Sequence, residues 1–568
     1  PTARLPAAVR KKGNAMRLLI YCDDPGYGGT AVNAGLLAAG LAGQGLDVTV
    51  AAAADITGQA PGVGYVPIDY DTMRSFDKTV VSRNEPEAIL LAVRPDLVVF
   101  CDGAPDSSLA AKAVCRDFAL PYLVHVNYVA PGHVAEIAPR LPAVVAANQA
   151  AVAVAAVSQE NLDLLRRFFG APPERSGVIH YGRPEAFFKP VSAAERRERR
   201  EALGLSPGDM LCLTVARYES RKGYRHLLRA VSLLAGHPAG ARLRFAAIGH
   251  SIGDGRRVLE DQIAAAGLTG RVALLGQRDD VRQWLGAADC FILASESEGM
   301  PLCITEAMGQ ALPVVASAVS GIPEQLGDAG ILLPDPNVDP EATAQALAQA
   351  LAALAEAPEA RSRLGQAARR RALTHFTAPA MIRAWMELLR AYASAVLAAR
   401  PRFPDPAGYV PRNAAPLGRD IALGDDAAAR EFLKEGWSDG EGEGRWTEGS
   451  RARLALALPD AARGGFVLEL AGWPFLGPGN AHVTLGLSIN GLEVARFVWP
   501  GAPERLDLAL ACLPPAGEFW PRLAYVVLSI DGASSPAAWG LSDDPRLLGL
   551  FVTRLQVAPL RPGTGVRS

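Results

Sequence analysis

The chain lacks several features that would assign it quickly to a class of proteins. Its seven cysteines form no C-x-x-C pair, so the spacing typical of zinc sites and redox dithiols is absent. Most of them sit in apolar runs, which predicts buried free thiols in a reducing compartment. No stretch approaches the roughly 18 consecutive apolar residues of a membrane-spanning helix. We therefore predict a cytoplasmic protein and leave open a peripheral contact with the inner membrane.

An excess of charge of either sign is also missing. The 57 lysines and arginines balance 59 aspartates and glutamates, for a formal net charge of −2. Nucleic-acid-binding domains usually concentrate basic side chains on one surface, so the composition argues against a nucleic-acid partner. The 568 residues are enough for three or four domains of about 150 residues each.

Two series of apolar runs alternate with amphipathic segments between Met16 and about Arg400. Continuous apolar strands separated by helices are typical of parallel sheets covered on both faces. The pattern predicts an α/β fold with two Rossmann-like lobes, residues 16–190 and 191–400. The basic residues 1–15 precede no apolar signal-peptide region and are interpreted as a flexible leader. The predicted strands are Arg17–Cys22, Val48–Ala52, Leu97–Cys101, Tyr122–Val126 and Ala153–Val157 in the first lobe, and Leu211–Val215, Leu243–Ile248, Val272–Leu275, Cys290–Ala294 and Pro313–Ala316 in the second.

The last part of the chain has a different character. Residues 401–420 contain five prolines and no periodic pattern, which predicts a linker because proline disfavours both helices and sheet ladders. Beyond it, apolar residues alternate in Arg451–Leu458 and Leu523–Ile530, and an Asn-Gly pair at 490–491 indicates a hairpin. We predict an all-β, antiparallel sandwich over residues 421–568.

Six of the eight tryptophans lie in this last region. Their large apolar faces could stack on sugar rings, which would make the sandwich a carbohydrate-binding module. Core packing is the alternative role for these rings. The six residues are Trp437, Trp446, Trp473, Trp499, Trp520 and Trp539.

A glycine-rich turn, Gly26-Tyr27-Gly28-Gly29, joins the first predicted strand to a helix. Glycine allows the backbone to approach a ligand closely, and a helix N-terminus attracts anions. Gly28 and Gly29 are therefore candidates for covering a phosphate. Ala31 breaks the G-x-G-x-x-G pattern, so a nicotinamide dinucleotide site has weak support, and a simple tight turn is the alternative.

Two cationic residues, Arg217 and Lys222, follow the predicted strand Leu211–Val215. Ligands of open α/β sheets bind outside the carboxyl ends of the strands, so we expect both cations in the cleft between the lobes. There they could neutralise a diphosphate and stabilise it as it departs. The alternative is a pair of solvated loop charges.

The strongest motif, SESEGMPLCITEAMG, ends one strand and begins a helix. Pro301 suits the first turn of that helix, since its missing N–H is not needed there. Backbone N–H groups of Gly299, Met300 and Leu302 would then face an anion at the positive end of the helix dipole.

Two glutamates bracket this helix start. Glu306 lies about a turn and a half into the helix and could accept hydrogen bonds from ribose hydroxyls. Glu298 precedes the helix and could hold hydroxyls of a sugar, or stabilise positive charge that develops at its anomeric carbon. The alternative is that both acids only favour the helix N-terminus electrostatically.

Together these residues resemble the signature of glycosyltransferase family 4. Smaller segments agree, among them VSQENLDLLRRFFG at 157–170 and VIHYGRPEAFF at 178–188. The resemblance covers about residues 16–400. The residues that carry the signature are Arg217, Lys222, Gly223, Glu298 and Glu306.

The resemblance implies a retaining transferase of GT-B architecture that moves a hexose from a nucleotide-diphosphate sugar to a glycan or glycolipid. It implies no metal and no cofactor, since cationic side chains and a helix dipole stabilise the diphosphate. Arg217 and Lys222 would contact that diphosphate, Glu298 the donor sugar and Glu306 the ribose. The glycine pair at 28–29 would cover the phosphates from the first lobe.

One further candidate is His125, which falls where many family members carry a histidine that faces the donor sugar. A histidine satisfied within the core is the alternative. The sequence also departs from the family pattern: the usual glycine before the arginine loop is Ala216, and the interlobe turn reads His180-Tyr181-Gly182. These departures could alter the preference for sugar or acceptor.

Two other functions fit the same fold. One is a catalytically weak carbohydrate-binding or scaffold protein, and the other is an epimerase that acts on nucleotide sugars. The complete set of cations and glutamates argues against the scaffold. The nucleotide, the sugar, the acceptor and the presence of a covalent intermediate stay open at this point.

Overall fold

The computed structural model describes most of the two predicted lobes and the strands of the C-terminal region. The predicted leader, most of the predicted linker, Gly26 and Tyr27 lie outside the described residues. The described residues are 16–24, 28–58, 60–68, 83–251, 253–403, 421, 423, 438, 444–448, 451–458, 460–474, 483–489, 492–499, 506–514, 523–531 and 548–560.

The first lobe is a parallel α/β unit. Its strands are Arg17–Cys22 (β1), Asp47–Ala52 (β2), Val63–Pro67 (β3), Leu97–Asp102 (β4), Tyr122–Val126 (β5), Ala153–Ala156 (β6) and Ser176–Val178 (β7). Its helices are Gly29–Gly43 (α1), Asn84–Val93 (α2), Leu109–Asp117 (α3), His133–Glu136 (α4), Leu141–Ala150 (α5) and Gln159–Phe168 (α6). The seven strands lie in the order β3-β2-β1-β4-β5-β6-β7.

Both faces of this first sheet are buried, which explains its continuous apolar strands. In β1, Leu18 and Ile20 pack into one core together with the apolar residues of α1. Leu19 and Tyr21 point to the other face and pack into a second core. The period of two along a strand therefore divides one apolar run between two separate cores.

The second lobe repeats this plan. Its strands are Met210–Val215 (β8), Leu243–Ile248 (β9), Val272–Gly276 (β10), Cys290–Leu293 (β11), Val314–Ser317 (β12) and Ile331–Leu333 (β13). Its helices are Ala193–Ala202 (α7), Tyr224–Leu233 (α8), Gly255–Ala265 (α9), Val281–Ala287 (α10), Leu302–Gly309 (α11), Ile322–Leu326 (α12), Pro340–Glu356 (α13) and Pro358–His375 (α14). The six parallel strands lie in the order β10-β9-β8-β11-β12-β13.

The chain then returns to the first lobe through two helices, Ala378–Ala391 (α15) and Ala393–Ala398 (α16). Met381 and Trp385 of α15 are buried in the same core as α1. Residues 378–398, which the sequence pattern assigns to the second lobe, thus pack on the first.

The C-terminal region forms two antiparallel sheets, as predicted. Its elements are Arg445–Glu448 (β14), Arg451–Ala457 (β15), Asp460–Arg463 (α17), Phe466–Pro474 (β16), Val483–Ile489 (β17), Leu492–Trp499 (β18), Leu506–Cys512 (β19), Leu523–Asp531 (β20) and Leu548–Pro559 (β21). The strand orders are β14-β21-β16-β19 and β15-β20-β17-β18. Strands β17 and β18 pair antiparallel on either side of the Asn-Gly pair, which confirms the predicted hairpin.

Two of the six tryptophans have described side chains. Trp446 and Trp473 are half-buried, and their ring centroids lie 5.1 and 6.4 Å from that of Phe551. The carbohydrate-binding role of this region stays a prediction. The other four side chains, which lie outside the described part, are those of Trp437, Trp499, Trp520 and Trp539.

All seven cysteines are free, as predicted, and only Cys303 is not fully buried. Among the described helices, none combines the length and the apolar character needed to cross a bilayer.

Candidate active site

The two cation- and acid-bearing motifs meet at one point of the second sheet. Strand order reverses between β8 and β11, which are neighbours in the sheet although two strands and several helices separate them in the chain. Ligands of open α/β sheets bind in the crevice beyond the carboxyl ends at such a reversal. Arg217 and Lys222 follow β8, and Glu298 follows β11, so both motifs border this crevice.

A tight turn places Lys222 beside the end of β11. Residues Ser220–Lys222 form one turn of 3₁₀ helix, and Gly223 ends it with a φ of 73°. A Cβ atom at Gly223 would lie 1.7 Å from the carbonyl oxygen of Ala294. Only glycine allows the two backbones to approach so closely in this left-handed conformation.

Lys222, at the end of this turn, forms a buried ion pair with Glu298, which follows β11. The Lys222 Nζ lies 2.7 Å from the Glu298 Oε1, and the two side chains are only 12% and 8% exposed. The Ser295 hydroxyl donates a second hydrogen bond, of 2.7 Å, to the same oxygen. Burial alone would raise the pKa of Glu298, but Lys222 and Ser295 outweigh it and hold that pKa below its ordinary value. Glu298 is therefore an anion at neutral pH.

The N-terminus of α11 faces the same site. Pro301 occupies the N-cap position, and no side chain among the described residues caps the helix. The helix thus begins one residue later than the sequence predicts. In its first turn the Ile304 amide donates to the carbonyl oxygen of Pro301 at 3.2 Å, and the other first-turn amides, which no side chain caps among the described residues, can bind an anion. Burial raises the pKa of the Cys303 thiol in this first turn; the nearby Glu298 carboxylate raises it further, and Lys222 opposes the rise.

Glu306 has a partner that the sequence motifs do not indicate. Its carboxylate lies 2.6 Å from the Arg183 guanidinium, and both side chains are about nine-tenths buried, with 10% and 8% exposed. Burial raises the pKa of Glu306 against the opposing effect of Arg183. Arg183 lies in the segment that crosses between the lobes, and no spacing rule links it to a glutamate so far along the chain.

The first lobe lies against this motif at several points. A Cβ atom at Gly29 would lie 3.7 Å from the Leu302 side chain, so the glycine pair lies against the start of α11. The Tyr128 hydroxyl lies 2.7 Å from the Ser297 hydroxyl. The Arg221 guanidinium lies 5.7 Å from the centroid of the Tyr128 ring. The structure thus brings the predicted glycines and the helix motif into one cleft.

Asn127 is a second residue that no sequence motif singles out. It follows β5, is 4% exposed, and neither atom of its amide group has a hydrogen-bond partner among the described residues. The backbone carbonyl oxygen of Asn127 packs against Gly299, and a Cβ atom at Gly299 would lie 2.1 Å from that oxygen. A buried amide without partners beside the motif is a candidate for binding a sugar hydroxyl, since buried polar groups normally form hydrogen bonds. Its place directly after a predicted strand is the only signal that the sequence offers.

His125 is predicted to face the donor sugar, and the structure places it in the core instead. Its ring is fully buried and packs edge-on against Trp385, at a centroid distance of 5.3 Å. Its Nε2 lies 3.3 Å from the carbonyl oxygen of Ile179. Burial lowers the pKa of His125 to about 4, so the ring is neutral. This packing agrees with the alternative of a core histidine, because β5 side chains alternate and position 125 faces the helix that returns from the second lobe. A role of His125 towards the sugar stays a prediction.

Arg217 lies at the rim of the site. Its side chain is 37% exposed and pairs with Glu219 at 2.7 Å. Gly28 is the N-cap residue of α1, and Gly299 and Met300 are buried. The structure therefore brings together the predicted residues of both motifs, and the role of each towards a ligand stays a prediction.

The packing of Gly299 leads to a first prediction. Replacing Gly299 with alanine places a methyl group against the Asn127 carbonyl, and the two lobes must separate by roughly 1 Å to relieve the contact. Because misplacing reacting groups by about 1 Å can cost up to 10²-fold in rate, we expect kcat/KM to fall roughly 10- to 100-fold. Gly43→Ala is the control, since a Cβ atom there meets nothing within 4 Å. Equal activity of the two variants would contradict this prediction.

Two family profiles match the lobes. Residues 27–185 match the profile described as Glycosyltransferase Family 4, and residues 195–371 match the one described as Glycosyl transferases group 1. Curated relatives include D-inositol 3-phosphate glycosyltransferases. The protein of Mycobacterium marinum is 32% identical over 31% of this chain and 37% of its own length. That of Mycolicibacterium vanbaalenii is 36% identical over 28% of this chain and 36% of its own length. The chain therefore spans less than half the length of these two relatives.

Solved structures share the fold of the lobes. HepE of Anabaena, in complex with UDP and glucose, has a TM-score of 0.56 and 20% identity, and the match covers 66% of this chain and all of HepE. Sucrose-phosphate synthase of Thermosynechococcus elongatus has a TM-score of 0.59 and 22% identity, over 67% of this chain and all of the synthase. Both matches extend over about the share of the chain that the two lobes occupy. The two profiles, the two parallel sheets and the motif at the sheet reversal agree: this chain belongs to glycosyltransferase family 4, has GT-B lobes, and carries an antiparallel β-sandwich after them.

Proposed function

We propose that this chain transfers a hexose from a nucleotide-diphosphate sugar to a hydroxyl group of a glycan or glycolipid, with retention of configuration. The observation that carries the proposal is the buried Lys222–Glu298 pair, at 2.7 Å, beside the uncapped start of α11. A fixed cation, a helix start without a side-chain cap among the described residues and an ionised carboxylate within one crevice suit a sugar diphosphate, whose charge grows as the glycosidic bond breaks.

Each group has a distinct chemical task in this proposal. Lys222 has three N–H donors, so it can keep its bond to Glu298 and still donate to a departing phosphate. The helix dipole of α11 stabilises the same negative charge. Glu298 holds donor-sugar hydroxyls or stabilises positive charge at the anomeric carbon. The departing phosphate accepts the proton of the acceptor hydroxyl on the same face of the sugar, which gives retention without a covalent intermediate.

The donor proposed here is a uridine diphosphate sugar, since HepE was solved with UDP and with UDP-glucose. The test is thermal unfolding in the presence of UDP, GDP, ADP and TDP. EDTA is present throughout to remove metal ions, because the proposal assigns stabilisation of the diphosphate to cationic side chains and the helix dipole. We expect UDP to stabilise the protein most, by about 2.7 kcal/mol at a concentration of about 100 Kd. Lys222→Ala, as the control, should lose this stabilisation. A larger effect of another nucleotide would overturn the donor assignment.

A second acceptor class has one observation in its favour. The curated relatives are named for D-inositol 3-phosphate, a small phosphorylated polyol. Product analysis with UDP-glucose and two acceptors, D-inositol 3-phosphate and a glycolipid extract, separates the two proposals. A product formed only with the small acceptor would replace the glycan or glycolipid assignment.

A further inference from the structure

A cavity of about 430 Å³ opens on the second lobe, at the edge opposite the candidate active site. Met210 begins β8 and Asp289 precedes β11, and both line this cavity. The same two strands end at the crevice that holds Lys222 and Glu298. A strand of six residues spans about 20 Å at roughly 3.3 Å per residue, so the cavity is separate from the crevice.

The walls of this cavity carry more positive than negative charge. Four arginines and two aspartates line it: Arg196, Arg200, Arg242, Arg361, Asp209 and Asp289. We call this cavity the arginine pocket. A fifth arginine, Arg244, does not line the cavity but forms an ion pair of 3.1 Å with Asp209, which does. Five guanidinium groups thus surround two carboxylates.

Two of the arginines have a structural role. Asp289 accepts an ion pair of 2.5 Å from Arg196 and one of 2.8 Å from Arg200. Arg196 also donates to the carbonyl oxygens of Gly286 and Ala288. These contacts hold α7 against the start of β11. The single negative charge of Asp289 neutralises one of the two positive charges of Arg196 and Arg200.

The other two arginines have no carboxylate partner in the part of the chain that the structure describes. Arg242 donates only to the carbonyl oxygen of Ala355, at 3.3 Å. Arg361 donates to the carbonyl oxygen of Leu354 at 3.0 Å and lies 3.5 Å from the Met210 sulfur. Both retain further N–H donors, since a guanidinium carries five. Arg242 is exposed and Arg361 is half-buried, and neither guanidinium pairs with a carboxylate of the described residues.

A helix N-terminus adds to this field. The 18-residue helix α14 begins at Pro358, which lines the pocket, and no side chain among the described residues caps it. Its first amides and its dipole favour negative charge at this end. The helix end is thus a second source of positive potential at the site that Arg242 and Arg361 already border.

We propose that the arginine pocket binds a small phosphate-bearing anion, at a site distinct from the donor crevice. Guanidinium groups match phosphate oxygens with two parallel hydrogen bonds. The volume lies in the range of about 300–1,000 Å³ typical of small-molecule sites, so a phosphomonoester with an organic group fits. The charged walls select a hydrophilic ligand over an apolar one.

Calorimetric titration of the full chain with inorganic pyrophosphate tests this site. The variants are Arg242→Gln, Arg361→Gln and the double substitution, with Arg363→Gln as the matched control. Arg363 lies on the same helix but is 74% exposed and outside the pocket. We expect the double variant to bind at least about tenfold more weakly at the pocket, since charge-assisted hydrogen bonds are stronger than neutral ones. The control should bind as the wild type does.

The donor crevice can also bind pyrophosphate, and Lys222→Ala separates the two sites. Binding that persists in Lys222→Ala and is lost in the arginine variants supports the proposal, whether or not the proposed transferase activity is found. Binding that is unchanged by Arg242→Gln and Arg361→Gln overturns it. Sedimentation with vesicles that contain phosphatidic acid distinguishes the source of the phosphate. Capture that depends on Arg242 and Arg361 indicates a lipid headgroup, and binding of pyrophosphate alone indicates a soluble anion.

Discussion

Replacing Lys222 with alanine is expected to lower kcat/KM for sugar transfer by about 10²- to 10³-fold, the usual cost of removing one preorganised group that stabilises developing charge. The reason is the position of Lys222: its side chain is only 12% exposed, and its ammonium group lies 2.7 Å from Glu298 beside the start of α11. Without it the proposed diphosphate would lose a buried cation, and Glu298 would lose its counter-ion. The measurement is steady-state transfer from UDP-glucose to the acceptor identified by product analysis.

Two further variants give this experiment its controls. Lys189→Ala removes a lysine that is 67% exposed and whose one ion pair among the described residues is with Glu185 on the surface, and it should leave kcat/KM unchanged. Lys222→Arg retains the charge and should recover part of the activity. Thermal unfolding of each variant shows whether the fold is intact. A Lys222→Ala enzyme with less than about a threefold loss would contradict the assignment, since about 1 kcal/mol already changes a rate about fivefold. A change of sugar stereochemistry without acceptor would indicate the epimerase instead.

The Lys112→Met variant is expected to lose about 3–5 kcal/mol of unfolding free energy, the usual cost of removing one partner from a buried ion pair. Lys112, on α3, and Asp102, at the end of β4, are both fully buried, and their charged atoms lie 2.5 Å apart. The Lys112 ammonium also donates to the carbonyl oxygen of Ser107 at 2.8 Å. Chemical denaturation measures the loss, and Arg257→Met, which affects only exposed pairs, should change stability by less than about 1 kcal/mol.

This loss should depend on pH in a defined direction. Burial raises the pKa of Asp102 to about 7, and Lys112 opposes that rise. Removing Lys112 raises the pKa of the folded state further above the unfolded value of about 3.9. When the pKa of a carboxyl is higher in the folded state than in the unfolded state, the protein loses stability as the pH rises from the unfolded-state pKa to the folded-state pKa. In the variant the folded-state pKa is higher, so this loss of stability continues to a higher pH. The difference between wild type and variant should therefore stay nearly constant at pH values below about 6 and grow above about pH 7, where the carboxyl is ionised in the folded wild type and still protonated in the folded variant.

A double variant tests the cause of that loss. Lys112→Met combined with Asp102→Asn removes both charges, and neutral replacement of a buried pair is often tolerated. We expect it to recover part of the stability and to show a weaker pH dependence than Lys112→Met. Equal instability of the single and double variants would show that the lost packing of Lys112, rather than the unpaired carboxylate, is responsible.

The sequence predicts the central strands of both lobes closely. Strands β1 and β5 have the predicted bounds, and β8 and β11 differ by one residue. Three edge or near-edge strands are absent from the prediction: Val63–Pro67, Ser176–Val178 and Ile331–Leu333. The first and second are half-buried or exposed over most of their length, so they lack the continuous apolar run that marks a buried strand.

The candidate site is predictable only where its residues are close in the sequence. The spacing from Glu298 to Glu306 and from Arg217 to Lys222 is a local pattern, and it is enough to indicate a site. The Arg183–Glu306 pair and the unpartnered amide of Asn127 are not predictable, because each depends on how segments far apart in the chain pack together. His125 shows the converse: the local pattern favours a functional position, and the returning helix with Trp385 encloses it.

By itself the sequence determined that there are two parallel α/β lobes and an antiparallel sandwich, since hydrophobic periodicity and turn residues are local properties of the chain. It also determined which charged residues follow which strands. Only the tertiary structure decided that β8 and β11 are neighbours, that Lys222 meets Glu298, and that a second cluster of arginines lies at the far edge of the same sheet. Strand order and lobe closure depend on contacts between segments far apart in the chain, and no local pattern encodes those contacts.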